Sequence, residues 1–268
     1  IDGDGDLDII STSNDDHTVA WHENDGAINP TFSTSIIYGS NSETGMDALT
    51  VGDIDNDGDL DIIAGGENTH HLIWFENNGA ADPTWTNNIL STSLPSSTAG
   101  GTATIILEDL DKDGDLDIIT NQTGNHKNVW YENDGANDPS FTQKNIGTTA
   151  DAPTGLQVVD IDSDGDLDII SSSSVGDKVQ WFENDGSQSV GWSSAKDISD
   201  VNGINGPNEI FASDFDNDGD VDIVVASSSG PSSGALVSKR IIWYESDVAS
   251  NNDTAIMAQV GDDYASTS

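Results

Sequence analysis

The chain contains no cysteine and few basic residues. Its 268 residues include 49 acids but 7 Lys and Arg, which gives a formal net charge of −42. Without cysteine, no disulfide stabilises the fold. Nucleic-acid binding relies on Lys and Arg that neutralise phosphates, so this composition argues against nucleic acid and against anionic membrane surfaces as partners. Because no apolar run reaches the roughly 18 residues that span a bilayer, we expect no membrane insertion.

Residues typical of catalytic sites are also scarce. Arg240 is the only arginine, and no cysteine nucleophile is present. The histidines share no repeat position, except that some fall near one turn; they are His17, His22, His70, His71 and His126. The pair His70-His71 could bind a transition metal, but an exposed hairpin tip is the simpler interpretation. We therefore predict that the chain is not an enzyme.

Aspartate is abundant and is arranged in five runs. A complete run has acids at positions one, three, five, seven and nine and glycine at position six. The first run lacks position one, because the chain begins inside it. The runs consist of Asp2, Asp4, Asp6 and Asp8; Asp53, Asp55, Asp57, Asp59 and Asp61; Asp109, Asp111, Asp113, Asp115 and Asp117; Asp160, Asp162, Asp164, Asp166 and Asp168; and Asp214, Asp216, Asp218, Asp220 and Asp222.

Such runs favour one hard cation per loop. Calcium takes six to eight oxygen ligands at about 2.3–2.6 Å and tolerates irregular geometry. Without an ion, each close carboxylate pair would cost about 4 kcal/mol at an effective dielectric near 20. An EF-hand has its last acid at position twelve and continues into a helix, whereas here the last acid is at nine and β-branched residues follow. A solvated acidic turn would not require Asp and Gly in register. We predict Ca²⁺ at about one ion per repeat, up to five.

The runs recur with a period of about 50 residues, which is typical of solenoids, propellers or arrays. The steps between the second aspartates of successive complete runs are 56, 51 and 54 residues. We predict one β-propeller domain, or a fragment of one. Its repeat units lie at about residues 1–45, 46–100, 101–152, 153–206 and 207–268.

Each repeat has the same order of short apolar segments. In the second, Ala48-Leu-Thr-Val51 precedes the aspartate run and Asp61-Ile-Ile follows it. An aromatic segment, Trp74-Phe-Glu-Asn-Asn-Gly79, comes next, and a fourth segment begins at Trp85. The Asn-Asp-Gly sequence that ends the aromatic segment in other repeats predicts a tight hairpin with positive φ angles. Four short strands with frequent turns and no helical period predict an all-β fold, a β-propeller of four-stranded blades.

The aromatic strand has two interpretations. Alternation puts Leu72, Trp74 and Glu76 on one face and Ile73 and Phe75 on the other, so both faces are apolar. A sheet packed between two neighbours requires this, and we therefore assign the recurring tryptophans to the core. An aromatic face beside a carboxylate would also suit a carbohydrate. The residues concerned are Trp21, Trp74, Trp130, Trp181 and Trp243, and we assign the same structural role to Trp85 and Trp192.

The aspartate runs, followed by Ile-Ile and by Trp-(Phe/Tyr)-Glu-Asn-Asp-Gly, resemble the FG-GAP/VCBS repeats of integrin α headpieces and of many secreted bacterial proteins. The resemblance implies that positions one, three and five bind calcium by side chains, position seven by its carbonyl, and position nine by its carboxylate. It also implies that Gly58 and its counterparts allow the sharp turn. Lys112 occupies a non-ligand position and is expected to face only solvent, so its loop should still bind an ion.

From these features we expect a non-catalytic, extracellular or cell-surface calcium-binding propeller for adhesion or ligand binding. The family's commonest ring has seven blades, so the five repeats belong to a larger ring or array, with a five-bladed ring as the alternative. We expect the ligand to be a protein or a glycan, whose identity the sequence does not give. Further repeats of the same polypeptide are a second expected partner. Two other functions stay open: a carbohydrate-binding lectin, and the non-catalytic portion of a larger secreted enzyme.

Overall fold

A computed structural model describes residues 1–39, 45–66, 71–91, 104–147, 151–187, 189–198, 204–229, 240–246 and 258–260. The strands in these residues form five antiparallel sheets, one for each sequence repeat. The described ranges contain no α-helix and one short 3-10 turn, at Thr123–Asn125. Accordingly, none of their helical segments is long and apolar enough to cross a membrane.

The strands take their positions from the apolar segments on either side of each aspartate run. In the first sheet they are β1 (Ile9–Ser13), β2 (Thr18–Asn24) and β3 (Phe32–Gly39). In the second they are β4 (Ala48–Gly52), β5 (Asp61–Gly65), β6 (Leu72–Asn77) and β7 (Trp85–Ser91). In the third they are β8 (Ile105–Glu108), β9 (Asp117–Gln122), β10 (Lys127–Asn133) and β11 (Phe141–Ile146). In the fourth they are β12 (Pro153–Val159), β13 (Asp168–Ser173), β14 (Lys178–Phe182) and β15 (Lys196–Asp197). In the fifth they are β16 (Asn205–Ser213), β17 (Asp222–Ser229), β18 (Arg240–Glu245) and β19 (Ala258–Val260).

Within every sheet the strands lie side by side in chain order. Four sheets have four strands, and the first has three, which correspond to the second, third and fourth strands of the others. Each of the four complete aspartate runs connects the first strand of its sheet to the second, as Asp53–Asp61 connects β4 to β5. This meander of four short strands is the form of a propeller blade and confirms the predicted all-β fold.

The aromatic strand β6 is buried on both faces, as its alternation predicts. Leu72 and Trp74 pack on one face, while Ile73 and Phe75 pack on the other. The cluster on the first face also contains Ile105, Ile118, Val129 and Tyr131 of the third sheet. The cluster on the second face also contains Val19, Met46, Ile62 and Ala64. Both faces therefore contribute to the hydrophobic core, which makes this strand the centre of its blade.

The contacts between Cα atoms divide the chain into two compact units. Residues 1–109, 114–125 and 129–144 form the first unit, and residues 110–113, 126–128 and 145–268 form the second. The core of the second unit combines residues of the fourth and fifth repeats. It contains Ile161, Ile170, Val179, Trp181, Ile204, Ile210, Ile223, Val225, Ile242 and Tyr244.

Four of the five recurring tryptophans are core residues, as predicted. Trp21, Trp74, Trp130 and Trp181 are each at most 3% exposed. Trp243 is half-buried. The outer strands β3, β7 and β11 begin at the aromatic residues that follow proline, also as predicted. Trp85 packs against the core cluster around Phe75, whereas Phe32 at the same position of the first sheet is exposed.

The prediction of a tight hairpin after the aromatic strand is wrong. Residues 25–31 separate β2 from β3, and Gly26 alone in the Asn-Asp-Gly sequence has a positive φ, 64°. The Asp25 side chain closes this longer loop: Oδ1 accepts hydrogen bonds from the N–H groups of Ala27 and Thr31 at 3.1 Å, and Oδ2 accepts one from the Thr31 hydroxyl at 2.6 Å. An aspartate side chain that mimics a backbone turn replaces the two-residue hairpin.

Candidate metal centres

Two left-handed residues shape each aspartate loop. Gly58 at position six has φ 100°, and Asn56 at position four has φ 59°. A Cβ on Gly58 would meet no atom within 4 Å, so glycine serves the backbone conformation there and not the space. Position four is left-handed in the other complete loops too, at Lys112, Ser163 and Asn217. The glycine turn was predicted from the sequence. The left-handed conformation at position four was not, although asparagine is known to adopt it.

The loops bring their first acids together. Asp53, Asp55 and Asp57 each offer a carboxylate oxygen, and these oxygens lie within 4.8 Å of one another. In the fourth loop, position nine joins the group in place of position five. The remaining groups with this spacing are Asp109, Asp111 and Asp113; Asp160, Asp162 and Asp168; and Asp214, Asp216 and Asp218. Among the described residues the truncated first loop forms no such group.

Backbone N–H groups hold the carboxylates in place. In the second loop, Asp55 Oδ1 accepts from the N–H of Asp57 at 3.2 Å, Asp57 Oδ1 from that of Asp59 at 2.9 Å, and Asp53 Oδ2 from that of Gly58 at 3.0 Å. Each of these side chains thus uses one oxygen to fix the turn. The second oxygen is left for the space at the centre of the loop.

Two of the remaining oxygens are buried without a partner. Oδ1 of Asp53 and Oδ1 of Asp162 have almost no exposed surface and make no hydrogen bond. A buried carboxylate oxygen without a hydrogen bond or counter-charge is strongly unfavourable. A cation at the centre of the loop would supply the missing partner. The donor set of carboxylate oxygens, with no Cys or His, suits a hard cation such as calcium.

The acid at position nine is fully buried and joins the loop to the third strand. Asp61 Oδ1 accepts from the N–H of Asn77 at 2.8 Å, and its Oδ2 accepts from the N–H of Ile54 at 3.4 Å. Asp168 has the same two bonds, from Asn184 and Ile161. In the fifth repeat Ser246 takes the place of the asparagine and donates its N–H to Asp222 at 2.9 Å. The predicted ligand at this position therefore also has a structural role.

Burial raises the pKa of the position-nine carboxyls in the second and fourth loops. The pKa of both Asp61 and Asp168 is raised to about 7, because desolvation outweighs the hydrogen bonds that they accept. Desolvation, followed by repulsion from neighbouring aspartates, also raises the pKa of Asp162, and desolvation raises that of Asp55. An ion-free loop thus resists full ionisation, whereas a bound cation would favour the ionised form.

The asparagine of the aromatic segment connects adjacent repeats. Asn133 Nδ2 donates to the carbonyl of Leu116, at position eight of its own loop, at 3.0 Å, and to that of Ile54, at position two of the preceding loop, at 2.9 Å. The same pair of bonds recurs at Asn77 and at Asn184. From the sequence this asparagine was predicted only as part of a hairpin turn, although its recurrence after Trp-x-Glu was a usable signal.

The acid at position seven packs against the turn glycine of its own repeat. A Cβ on Gly79 would come within 1.9 Å of Asp59 Oδ2, and one on Gly186 within 2.0 Å of Asp166 Oδ2. Both glycines also have positive φ angles, 67° and 64°. Two features therefore favour glycine here: its positive φ and the close approach of the neighbouring carboxylate.

The expectation that Lys112 faces only solvent is wrong. Its Nζ pairs with the Asp166 carboxylate and donates to the Gly165 carbonyl at 2.5 Å. Asn56, at the same position of its loop, donates Nδ2 to Asp115 Oδ1 at 2.6 Å. Position four thus contacts position seven of the following loop. The sequence does not reveal this contact, because its partners are 59 residues apart for Asn56 and Asp115 and 54 residues apart for Lys112 and Asp166.

The histidines form no cluster with other metal-binding groups among the described residues. His17 Nδ1 accepts from the N–H of Gly45 at 3.0 Å, and His126 Nδ1 accepts from that of Ala152 at 2.9 Å. Both therefore fasten a turn to the segment that leads into the following repeat. His70 of the predicted hairpin tip lies outside the described residues.

The chain is similar to known proteins at two levels. A family model described as FG-GAP-like repeat matches four overlapping segments, residues 1–64, 54–120, 109–171 and 160–225. No curated protein matches the chain.

The solved structures include a similar fold, in a lectin from Agrocybe aegerita described as recognising non-reducing terminal N-acetylglucosamine. The likeness has a TM-score of 0.55 at 19% sequence identity and covers 89% of this chain. The chain spans 63% of the lectin's length. At this identity the likeness concerns the fold alone.

Proposed function

Because the chain belongs to the FG-GAP repeat family, we propose that it is a non-catalytic calcium-binding module of an extracellular protein that binds a protein or glycan ligand. The observation that carries the calcium assignment is the pair of buried, unpartnered oxygens on Asp53 and Asp162. Each lies in a group of three carboxylates, where uncompensated charge is unfavourable and a cation would remove the cost.

The donor set favours calcium over other ions. In the second loop the ligands would be the side chains of Asp53, Asp55, Asp57 and Asp61 and the carbonyl of Asp59. Calcium accepts such an irregular all-oxygen set, whereas magnesium demands a near-ideal octahedron at about 2.0–2.1 Å. Extracellular modules bind calcium with dissociation constants of about 0.1–1 mM. Sites this weak would stay empty at the low calcium concentration of the cytosol. This supports a location outside the cell.

The substitution Asp53→Asn tests the calcium assignment. The oxygen of the introduced amide can keep the hydrogen bond from Gly58, while its NH₂ group stands where the unpartnered Oδ1 lies. Calorimetric titration is expected to lose about one calcium ion per chain. Asp82→Asn removes the same charge from an exposed site outside the loops and should leave the titration unchanged. Equal stoichiometry in both variants would contradict the proposal.

A lectin is the second candidate function. The likeness in fold to the Agrocybe lectin supports it, and so does a cavity of about 290 Å³ in the fourth repeat. Glu183, Asp185, Gly191, Trp192 and Ser193 line this cavity. A half-buried aromatic ring beside two carboxylates provides the apolar face and hydrogen-bond acceptors that a sugar uses.

A glycan array that includes terminal N-acetylglucosamine tests this candidate. A lectin would bind a defined glycan class, and Trp192→Ala would abolish the binding without unfolding the chain. Binding that survives Trp192→Ala would remove this cavity from consideration. The full-length gene tests the third possibility, that the module is the non-catalytic part of a larger secreted enzyme.

A further inference from the structure

The asparagine that ends the aromatic segment contacts two aspartate loops at once. The N–H of Asn133 donates to Asp117 Oδ1, at position nine of its own loop, at 2.9 Å. Its Nδ2 donates to the Ile54 carbonyl at 2.9 Å. Ile54 is at position two of the preceding loop, between the acids at positions one and three. One residue therefore fixes the backbone beside candidate calcium ligands of both loops.

The third and fourth loops are connected in the same way. Asn184 donates its N–H to Asp168 Oδ1 at 2.8 Å and its Nδ2 to the Leu110 carbonyl, at position two of the third loop, at 3.4 Å. Asn133 and Asn184 are each 2% exposed, so both amides are shielded from water. A hydrogen bond in such surroundings is electrostatically stronger than one in water. The connection therefore recurs where the aromatic segment ends in asparagine.

The fifth repeat lacks this connection, because Ser246 replaces the asparagine. The N–H of Ser246 still donates to Asp222 Oδ1 at 2.9 Å, as in the other repeats. Its hydroxyl is buried and has no hydrogen-bond partner among the described residues, so it does not bind the Ile161 carbonyl at position two of the fourth loop. The fifth repeat thus keeps the bond to its own position-nine acid without the side-chain bond to the preceding loop.

These bonds give ion binding in one loop an effect on its neighbour. A cation bound by Asp117 in the third loop would fix that carboxylate, and with it the Asn133 backbone and, through the amide, the Ile54 carbonyl. The second loop is then partly ordered before its own ion arrives. Binding to an already ordered loop costs less conformational entropy and is therefore tighter. The coupling is reciprocal, since each ion must change the affinity of the other by the same factor.

We propose that this asparagine is a positioning residue that couples calcium binding in neighbouring loops. The second, third and fourth loops then bind their ions cooperatively, whereas the fifth binds its ion independently of the fourth. The inference rests on the proposed calcium assignment and adds how the sites act on one another. Position four also contacts the following loop, as Asn56 does at Asp115, but this contact is exposed to water.

The turn glycines allow each loop to be followed separately. In the four complete loops, the N–H of the glycine at position six donates to the position-one carboxylate of the same loop. These glycines are Gly58, Gly114, Gly165 and Gly219. The amide resonance of each glycine in the ¹⁵N-labelled chain therefore reports calcium binding at its loop. Calcium chloride titrations followed by NMR give one midpoint for each loop.

The variant Asp160→Asn removes a ligand of the fourth loop, which has a complete loop on each side in the sequence. It is expected to raise the calcium midpoint at Gly114 about fivefold or more, because the third loop is connected to the fourth. The midpoint at Gly219 should stay within about twofold, because Ser246 provides no connection. Equal effects at the two glycines would overturn the proposal.

The variant Asn133→Ala tests the asparagine itself. In the unmodified chain, Asp109→Asn removes a ligand of the third loop and should raise the midpoint at Gly58 about fivefold. In Asn133→Ala, which keeps the backbone bond to Asp117, the same substitution should leave that midpoint unchanged. Asn128→Ala is the matched control, since it removes another buried amide, near the opposite end of β10, and should leave the coupling in place. A residue with only a structural role would shift midpoints without abolishing the coupling.

The variant Ser246→Asn tests the proposal in the opposite direction. It supplies the missing amide, so Asp160→Asn should then raise the midpoint at Gly219 about fivefold as well. If coupling persisted in Asn133→Ala and was lost in Asn56→Gly, the exposed position-four contact would be the connection and the proposal would be overturned. Glycine resonances that do not respond to calcium would overturn the calcium assignment as well, whereas responses with independent midpoints would overturn the coupling alone.

Discussion

The second and fourth repeats are alike near the aspartate loop and differ at the outer strand. In both, the pKa of a buried position-nine aspartate is raised to about 7. Its carboxylate accepts a hydrogen bond from the N–H of the asparagine that ends the aromatic segment, Asn77 in the second repeat and Asn184 in the fourth. In both, the core tryptophan is 2% exposed. The outer strand has seven residues in the second repeat, β7, but two in the fourth, β15.

This difference shows that the outer strand is less constrained than the rest of the repeat. The loop and the inner strands are fixed by carboxylate geometry and by packing on both faces. The outer strand pairs along one edge only, so its length and side chains can change without loss of the core. Opposite the core tryptophan, Asn88 in the second repeat and Lys196 in the fourth are such a change. The outer strand is therefore the part of the repeat that can vary, whereas the aspartate loop and the strands beside it are kept alike.

Calcium removal is expected to have the largest effect and to act on both repeats alike. If free calcium is about a hundred times the dissociation constant, each site contributes about 2.7 kcal/mol to the free energy of unfolding. Several sites would then rival the 5–15 kcal/mol of a typical domain. Thermal melts followed by tryptophan fluorescence, with and without a chelator, measure the effect. An unchanged Tm would refute the common role of the loops.

Truncation of the core tryptophan is expected to have the next largest effect. Trp181→Ala and Trp74→Ala should each lower the free energy of unfolding by about 3–5 kcal/mol, the usual range for a large buried aromatic side chain. Trp181→Ala should lose about 0.5–1 kcal/mol more, because Lys196 covers its ring. Chemical denaturation in calcium measures both. Trp192 is half-buried and serves as the control. An equal loss of unfolding free energy in Trp192→Ala would contradict the argument that the core tryptophans matter because they are buried.

The pH dependence of calcium binding is expected to be smaller and equal in the two repeats. Calcium binds the ionised carboxylate, so a pKa of about 7 at Asp61 and Asp168 makes protons compete with the ion. Affinity at these loops should be about tenfold weaker at pH 6 than at pH 8. For the ion-free chain the sign is opposite: the raised pKa gives stability that is present at low pH and is lost as pH rises through 7. Titrations at both pH values that gave equal affinity would contradict the burial argument.

The loss of Lys112 is expected to have the smallest effect. Its ammonium group is about half exposed, and its pairing with Asp166 is screened by salt. Lys112→Ala should lower the Tm slightly at low ionic strength and leave it unchanged at high ionic strength. Melts at the two salt concentrations check this. A loss that persisted in high salt would assign the contact with the Gly165 carbonyl a structural role of its own.

Much of the fold follows from local sequence. The aspartate runs, the glycine at position six and the alternation in β6 each depend on neighbours within a few residues, and the structure has the predicted strands and faces. The hairpin was mispredicted because the side chain of Asp25, bound to Thr31, competes with the two-residue turn. Position four was missed because a left-handed lysine or serine is uncommon.

The sequence by itself determined the repeat, the carboxylate spacing and which residues face the core, since all of these are set by chain geometry over a few residues. Only the tertiary structure decided which groups meet across repeats. The Asn133 amide reaches the Ile54 carbonyl and Asn56 reaches Asp115 because sheet packing brings together residues far apart in the chain. Strand pairing likewise decides that Lys196 lies over the Trp181 ring, because it brings the outer strand beside the aromatic strand.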